Sequence, residues 1–255
     1  MAMASASLLR RRPMRRLVSL LVVGLLAIGG AAAAGESVDL QLVLAVDISR
    51  SVDDEEFLLQ REGYADALKD PRVLASILSG GHRAIGVTYM EWSNAHPQKQ
   101  VVKWTKISDG ESAALFAEAI LAAPRSFAGW TSISGAIDYG IRLFELSPFE
   151  SDRLVIDISG DGSNNSGRTA AEARDDALKL GITINGLPIM NERPSPWLPA
   201  EPNLDEYYQV NVIGGPGSFL IVAEDFASFQ TAILNKLIRE IAAAPAPPSD
   251  LAEIR

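Results

Sequence analysis

Asp47, Ser49 and Ser51 stand at i, i+2 and i+4 directly after an apolar run. On extended backbone this spacing puts one carboxylate and two hydroxyls on the same side of the chain. Such oxygen donors suit hard divalent cations, Mg2+ or Mn2+, which take carboxylate, hydroxyl and water ligands. The same hydroxyls also suit a helix start, since Ser49 or Ser51 could cap a helix that begins near Asp53. Two more oxygen-bearing stretches follow. Thr131 lies in Gly129-Trp130-Thr131-Ser132, at the expected start of a helix. Asp161 lies in Ser159-Gly160-Asp161-Gly162-Ser163-Asn164-Asn165, between glycines that permit unusual backbone angles. Each has a plainer reading, Thr131 as a helix cap and Asp161 as a turn residue.

Whether the three stretches meet depends on the elements that carry them. Val38–Val46 (VDLQLVLAV) is almost continuously apolar, as expected for a strand buried on both faces. Further strands are expected at Arg83–Trp92, Gln100–Ile107, Arg153–Ile158, Ile182–Ile189 and Ser218–Ala223. The second and third of these six form a hairpin around Asn94–Pro97. Helices are expected at Asp53–Lys69, Pro71–Leu78, Asp109–Ala123, Ser132–Glu145, Arg168–Leu180, Leu204–Val212 and Asp225–Ala242. Repeated strand–helix alternation implies an α/β fold: a doubly wound, mostly parallel open sheet with helices on both faces and one antiparallel edge strand. Ligands of such sheets bind beyond the carboxyl ends of the strands. All three oxygen-bearing stretches fall at that edge.

Composition narrows the chemistry. The 255 residues include no cysteine and two histidines, His82 and His96. Thiolate nucleophiles, disulfides and zinc–cysteine sites are excluded. Residues 1–34 hold five arginines and no acid; an apolar run from Leu17 to Ile28 and a Gly/Ala-rich stretch follow the arginines. This is the pattern of a secretory signal peptide, with cleavage expected near Ala34-Gly35. If uncleaved, it would serve as an N-terminal membrane anchor. Removing it leaves 18 basic against 32 acidic residues, so the net charge of −9 becomes −14. That balance argues against nucleic acid as a partner. The expected organisation is a leader at 1–34, one domain at 35–242 and a loose Pro/Ala-containing tail at 243–255. The expected location is the bacterial periplasm or the outside of the cell, with no membrane span once the leader is cleaved.

Asp-x-Ser-x-Ser after the first strand, a Thr in a Gly-containing second loop and an Asp in a third loop together resemble the von Willebrand factor A (VWA) domain and its metal-ion-dependent adhesion site (MIDAS). The chain is also similar to an uncharacterised bacterial family of exported VWA-like proteins, through its Ser-Gly-Asp-Gly-Ser-Asn-Asn loop and Gly214–Gly217. The resemblance implies a Rossmann-like fold and Mg2+, with Mn2+ or Ca2+ as alternatives, held by Asp47, Ser49, Ser51, Thr131 and Asp161. It also implies a protein partner whose acidic residue completes the coordination. Two positions depart from the family pattern. Trp130 stands where a small residue often precedes the Thr, and Gly160 stands where Thr or Ser commonly precedes Asp-Gly.

Other residues carry softer readings. Trp130, Gly162, Asn164, Asn165 and Trp197 are candidates for partner contact or for bracing the ligands. Trp197 lies in a proline-crowded loop, from Pro188 to Pro202, that leaves a carboxyl strand end. Asp157, an acid inside RLVIDI, calls for a hydrogen-bonded or buried partner rather than a metal. Three function classes remain in competition: a binding module that captures a protein through a divalent metal, a Mg2+-dependent phosphoester hydrolase, and a VWA scaffold without metal. No Walker A loop, Asp-x-Asp pair or Gly-x-Ser-x-Gly supports catalysis, so a non-enzymatic binding role leads.

Overall fold

The computed structural model describes residues 35–96, 98–126, 129–190, 201 and 203–242. The leader, the tail and Trp197 with most of its loop lie outside the described residues. The elements in order are β1 (Glu36–Ser37), β2 (Leu40–Asp47), α1 (Asp54–Lys69), α2 (Pro71–Leu78), β3 (Ile85–Trp92), β4 (Lys99–Ile107), α3 (Gly110–Ala122), α4 (Ile133–Glu145), β5 (Phe149–Glu150), β6 (Leu154–Gly160), α5 (Ala170–Lys179), β7 (Ile182–Pro188), α6 (Leu204–Asn211) and α7 (Phe229–Ala242).

Five strands form one sheet in the order β4-β3-β2-β6-β7. Pairing is parallel except for the β3–β4 hairpin, which makes β4 the antiparallel edge. The very short β1 and β5 pair in parallel as a separate ribbon that the sequence did not announce.

Alternation along β2 explains why it sits at the centre. Leu40, Leu42, Leu44 and Val46 pack with side chains of α1, α2, α3 and α7, including Tyr64, Phe116, Phe229 and Leu237. Val43 and Ala45 point the other way, into a second cluster with Ile133, Ile137, Ala173 and Tyr208 from α4, α5 and α6. A strand covered on both faces must be apolar at nearly every position, and this one is.

The expected strand at Ser218–Ala223 is not formed as a continuous element. The segment runs beside β7 through isolated parallel bridges, Gly186 to Leu220 and Ile189 to Ala223. A side chain takes part of the ladder's work: the Phe219 N–H donates to Asn185 Oδ1 at 2.9 Å. Just upstream, Gly215 and Gly217 adopt positive φ of 94° and 72°, which breaks extended geometry at the entry.

The helix starts resolve the capping question. Asp53 caps α1, accepting from the Glu56 N–H, while Glu56 reaches back to the Asp53 N–H. Ser132 caps α4 through its hydroxyl, 3.2 Å from the Gly135 nitrogen. Neither Ser49, Ser51 nor Thr131 is the cap of its helix. Among the described residues no helix is long and apolar enough to cross a membrane.

Candidate metal centre at the strand ends

Parallel register brings two of the three loops side by side. Val46 pairs with Ser159, so Asp47 at the end of β2 lies level with Gly160 at the end of β6. Asp161 follows at once. The Ser49 N–H donates to Asp47 Oδ1 at 2.7 Å. Ser49 Oγ and Ser51 Oγ are 3.0 Å apart, and the Ser51 hydroxyl donates to Asp161 Oδ1 at 2.6 Å. A continuous string of oxygens therefore links the first loop to the third.

Thr131 enters from the second loop. It is 2% exposed, and its carbonyl accepts the N–H groups of Asn165 and Ser166 at 2.9 and 3.1 Å. Its Oγ1 lies 3.6 Å from where a Cβ on Gly162 would be, beside Asp161. Asn164 and Asn165 brace this loop, since their Oδ1 atoms accept from Ser134 N–H and Thr131 N–H, each at 2.9 Å. The loops are further stitched by Arg50 N–H to the Gly129 carbonyl and Ser132 N–H to the Ser93 carbonyl. Trp130 is 60% exposed beside Thr131, its N–H held by Asn94 Oδ1 at 2.7 Å.

Gly160 has a steric reason. A Cβ there would lie 2.8 Å from Asp47 Oδ2 and 3.0 Å from Tyr208 Oη. The departure from Thr or Ser at this position thus leaves room for a tyrosine that arrives from α6. Tyr208 is fully buried, and its phenol is pushed up by burial and then by the charges of Asp47 and Asp161. Another neighbour is Glu201, which accepts both the N–H and the hydroxyl of Ser163 at 3.0 Å. Tyr208, Glu201 and Asn94 lie far from the motif in sequence. Only the proline-rich stretch before Glu201, expected on this edge, hinted at a contribution.

Electrostatics single out Asp47. It is fully buried, and its Oδ2 has no hydrogen-bond partner. Burial raises its pKa well above the carboxylate range, and the charge of Asp161 raises it further; hydrogen bonds from Ser49 and from the Asp161 backbone only partly oppose this. Two acids, three hydroxyls and a buried unpartnered carboxylate oxygen fit a hard cation with open positions. Among the described residues no three His, Asp or Glu side chains gather as a metal cluster. Any cation here would depend on hydroxyls for much of its shell.

Asp157, by contrast, meets a buried base. Lys236 Nζ of α7 lies 2.5 Å from Asp157 Oδ1 and 3.4 Å from Glu240 Oε2. Asn185 Nδ2 donates to Glu240 Oε1 at 2.7 Å. His82 and His96 are both exposed.

The strand order, the two helical layers and the loop cluster at the carboxyl edge define a VWA-type fold, and solved structures share it. The pilus adhesin SpaC from Lactobacillus rhamnosus GG, in its open conformation, superposes with a TM-score of 0.58 at 15% identity, covering 82% of this chain and 31% of that one. Proximal thread matrix protein 1 from the mussel byssus gives 0.57 at 16%, covering 84% and 48%. A von Willebrand factor type A protein from Catenulispora acidiphila gives 0.56 at 15%, covering 80% and 43%. Another structure of the mussel protein is described with a zinc-occupied MIDAS motif. The chain spans less than half the length of each, and the likeness is one of fold. By sequence the chain belongs to the family described as protein of unknown function (DUF1194), whose model matches residues 37–245. No curated protein matches it.

Proposed function

We propose that the strand-end cluster binds a divalent cation, Mg2+ in the first instance, and through it an acidic group of a protein partner. The observation that carries this reading is Asp47 Oδ2, fully buried and without a hydrogen-bond partner beside a second acid. A buried charge without compensation is costly, and a cation offsets both the burial and the repulsion. Asp47, Ser49, Ser51, Thr131 and Asp161 would hold the ion. Its chemistry there is a local positive charge with coordination positions left to water or to a partner's oxygen. That charge matters on a chain whose residues 35–255 carry net −14, which otherwise repels an acidic partner. Trp130, exposed beside Thr131, offers an aromatic contact for the same partner. The mussel structure with zinc in its MIDAS motif supports a cation at this edge of the fold. The leader expected at 1–34 would place the site in the periplasm or outside the cell. The role is capture rather than turnover.

A competing reading, a scaffold without metal, draws on one specific observation. Ser49, Ser51 and Asp161 already satisfy one another by hydrogen bonds. Thermal melting decides between the two. Mg2+ is expected to raise the melting temperature of the wild type and leave Asp47→Ala unmoved; no Mg2+-dependent shift in the wild type sinks the metal site. A protein retained by the wild type in Mg2+, released by chelator and absent with Asp47→Ala, supports the partner half of the proposal.

A further inference from the structure

A cavity of about 530 Å3 lies at the opposite end of the sheet, where β2 begins. This volume falls in the range of small-ligand pockets. Val38, Phe149 and Leu154 give it apolar wall, and Asp39, Glu150 and Asp152 bring carboxylates to it. Gln41 belongs to the wall and is 5% exposed. Its Nε2 donates to the Phe149 carbonyl at 3.1 Å, which fixes the amide's orientation. Its Oε1 is left buried without a partner. A buried acceptor in this state favours a ligand that brings a donor.

The charges around the cavity select the ligand's sign. Arg153 is half-buried in the wall, but its Nη atoms already donate to the carbonyls of Glu240 and Ile241, at 2.5 and 3.2 Å. It therefore has little left to offer an anion, and its charge is set against Glu240 and then Asp39. Asp39 itself receives the backbone N–H groups of His82 and Ala84 at 2.9 and 3.3 Å. Glu150 receives one N–H, from Gly35 at 2.9 Å. Asp152 is exposed, with no hydrogen bond or ion pair among the described residues. Glu150 and Asp152 thus leave an excess of negative charge at the rim. A bare metal ion needs converging ligands, and no such group occurs among the described residues. Separated acceptors beside an apolar wall fit a cation that carries several N–H donors on an alkyl stem.

We propose that this cavity binds an alkylammonium or guanidinium group, with Glu150 and Asp152 as charge partners, Gln41 Oε1 as an acceptor, and Phe149 and Leu154 against the stem. The group can belong to a basic side chain of a peptide or to a free amine. Titration of the full chain, followed by NMR, separates these with three probes: n-butylammonium, Nα-acetyl-lysine N-methylamide and neutral n-pentanol. Both cations are expected to bind at least about tenfold more tightly than pentanol. Glu150→Gln combined with Asp152→Asn should weaken both cations about tenfold and leave pentanol unchanged. Both changes fall on exposed side chains outside the sheet's core, so the fold is retained. Gln41→Leu should weaken the cations as well; if that variant does not fold, the exposed pair decides. Blocked lysine binding more tightly than butylammonium assigns a peptide source, and equal or weaker binding assigns a free amine. Pentanol binding as tightly as the cations, or cation affinity within about twofold in the doubly neutralised variant, overturns the proposal.

Discussion

Two aspartates stand fully buried on neighbouring strands, Asp47 at the end of β2 and Asp157 in the middle of β6. Burial raises the pKa of both carboxyls. Asp157 has a cation supplied by the fold: Lys236 sits against it, shared with Glu240. Even so, burial and the charge of Glu240 outweigh that help, and the Asp157 carboxyl is pushed up to about 7. Asp47 has no such partner. The charge that acts on it is Asp161, another acid, which adds to the penalty. The chain thus built a lysine into one acid pocket and left the other without one. A pocket with its own base is a structural lock between α7 and the sheet. A pocket lacking one, open at a loop edge, is where an external cation gains most.

This contrast can be broken most sharply at Lys236. Lys236→Ala leaves Asp157 and Glu240 buried without a countercharge and should cost about 3–5 kcal/mol in urea denaturation at neutral pH. A cost below about 1 kcal/mol would remove the distinction between the pockets. Next in size is the effect of cation at the other site. Mg2+ at about 100 times its dissociation constant should stabilise the wild type by about 2.7 kcal/mol. Asp47→Asn should abolish this gain while being no less stable than the wild type without metal, because it deletes an uncompensated charge. A metal-free Asp47→Asn that is clearly less stable contradicts that account.

The third effect is on pH. Asp157 is raised from 3.8 to about 7, so the folded state holds a proton that the unfolded state has released between those values. The resulting stability is complete at low pH and is lost as pH rises through 7, with a slope of at most about 1.4 kcal/mol per pH unit. Measured in an Asp47→Asn background, which removes the Asp47 titration, the slope should flatten on Asp157→Asn. An unchanged slope would place the titration elsewhere. The smallest change expected is in the stability of Trp130→Ala, within about 0.5 kcal/mol because the ring is 60% exposed. The same variant should still bind Mg2+ and retain less of a captured partner; full retention removes Trp130 from the contact.

Much of the fold was legible because a doubly covered sheet leaves a strong mark. Val38–Val46 had to be a central strand, since few other structures bury so many consecutive aliphatic side chains. The β3–β4 hairpin was legible from two strand patterns flanking Asn94–Pro97. Ser218–Ala223 looked like a strand for the same reason, and its apolar side chains do lie along β7. What the pattern could not show was Asn185 taking a ladder bond. At the site, the loops were legible because Asp47, Thr131 and Asp161 each follow a strand or precede a helix. The neighbours that shape them were not. Tyr208 reaches Gly160 across 48 residues, and nothing local in α6 marks its hydroxyl as different from any other buried tyrosine. Asp157 announced that it needed a buried partner. Its lysine was readable in principle: Phe229, Ile233, Lys236 and Glu240 share the helical spacing of the buried face of α7. A lysine on an apolar stripe is easily assigned to solvent, and the two clues only make sense together.

The β1–β5 ribbon has a consequence for how the domain can be handled. Gly35 is bonded to Glu150, and three residues later Arg153 grips the carbonyls of Glu240 and Ile241. The entry and exit of the described domain are therefore moored at one pole. The strand-end loops lie at the other, the length of β2 away, about 25 Å. A tag or linker attached directly at Gly35 or at Ala242 would therefore start from the moored pole, away from the oxygen cluster. The described domain has a built-in direction of presentation, and immobilising it at either of these two positions on a sensor surface is expected to keep that face free.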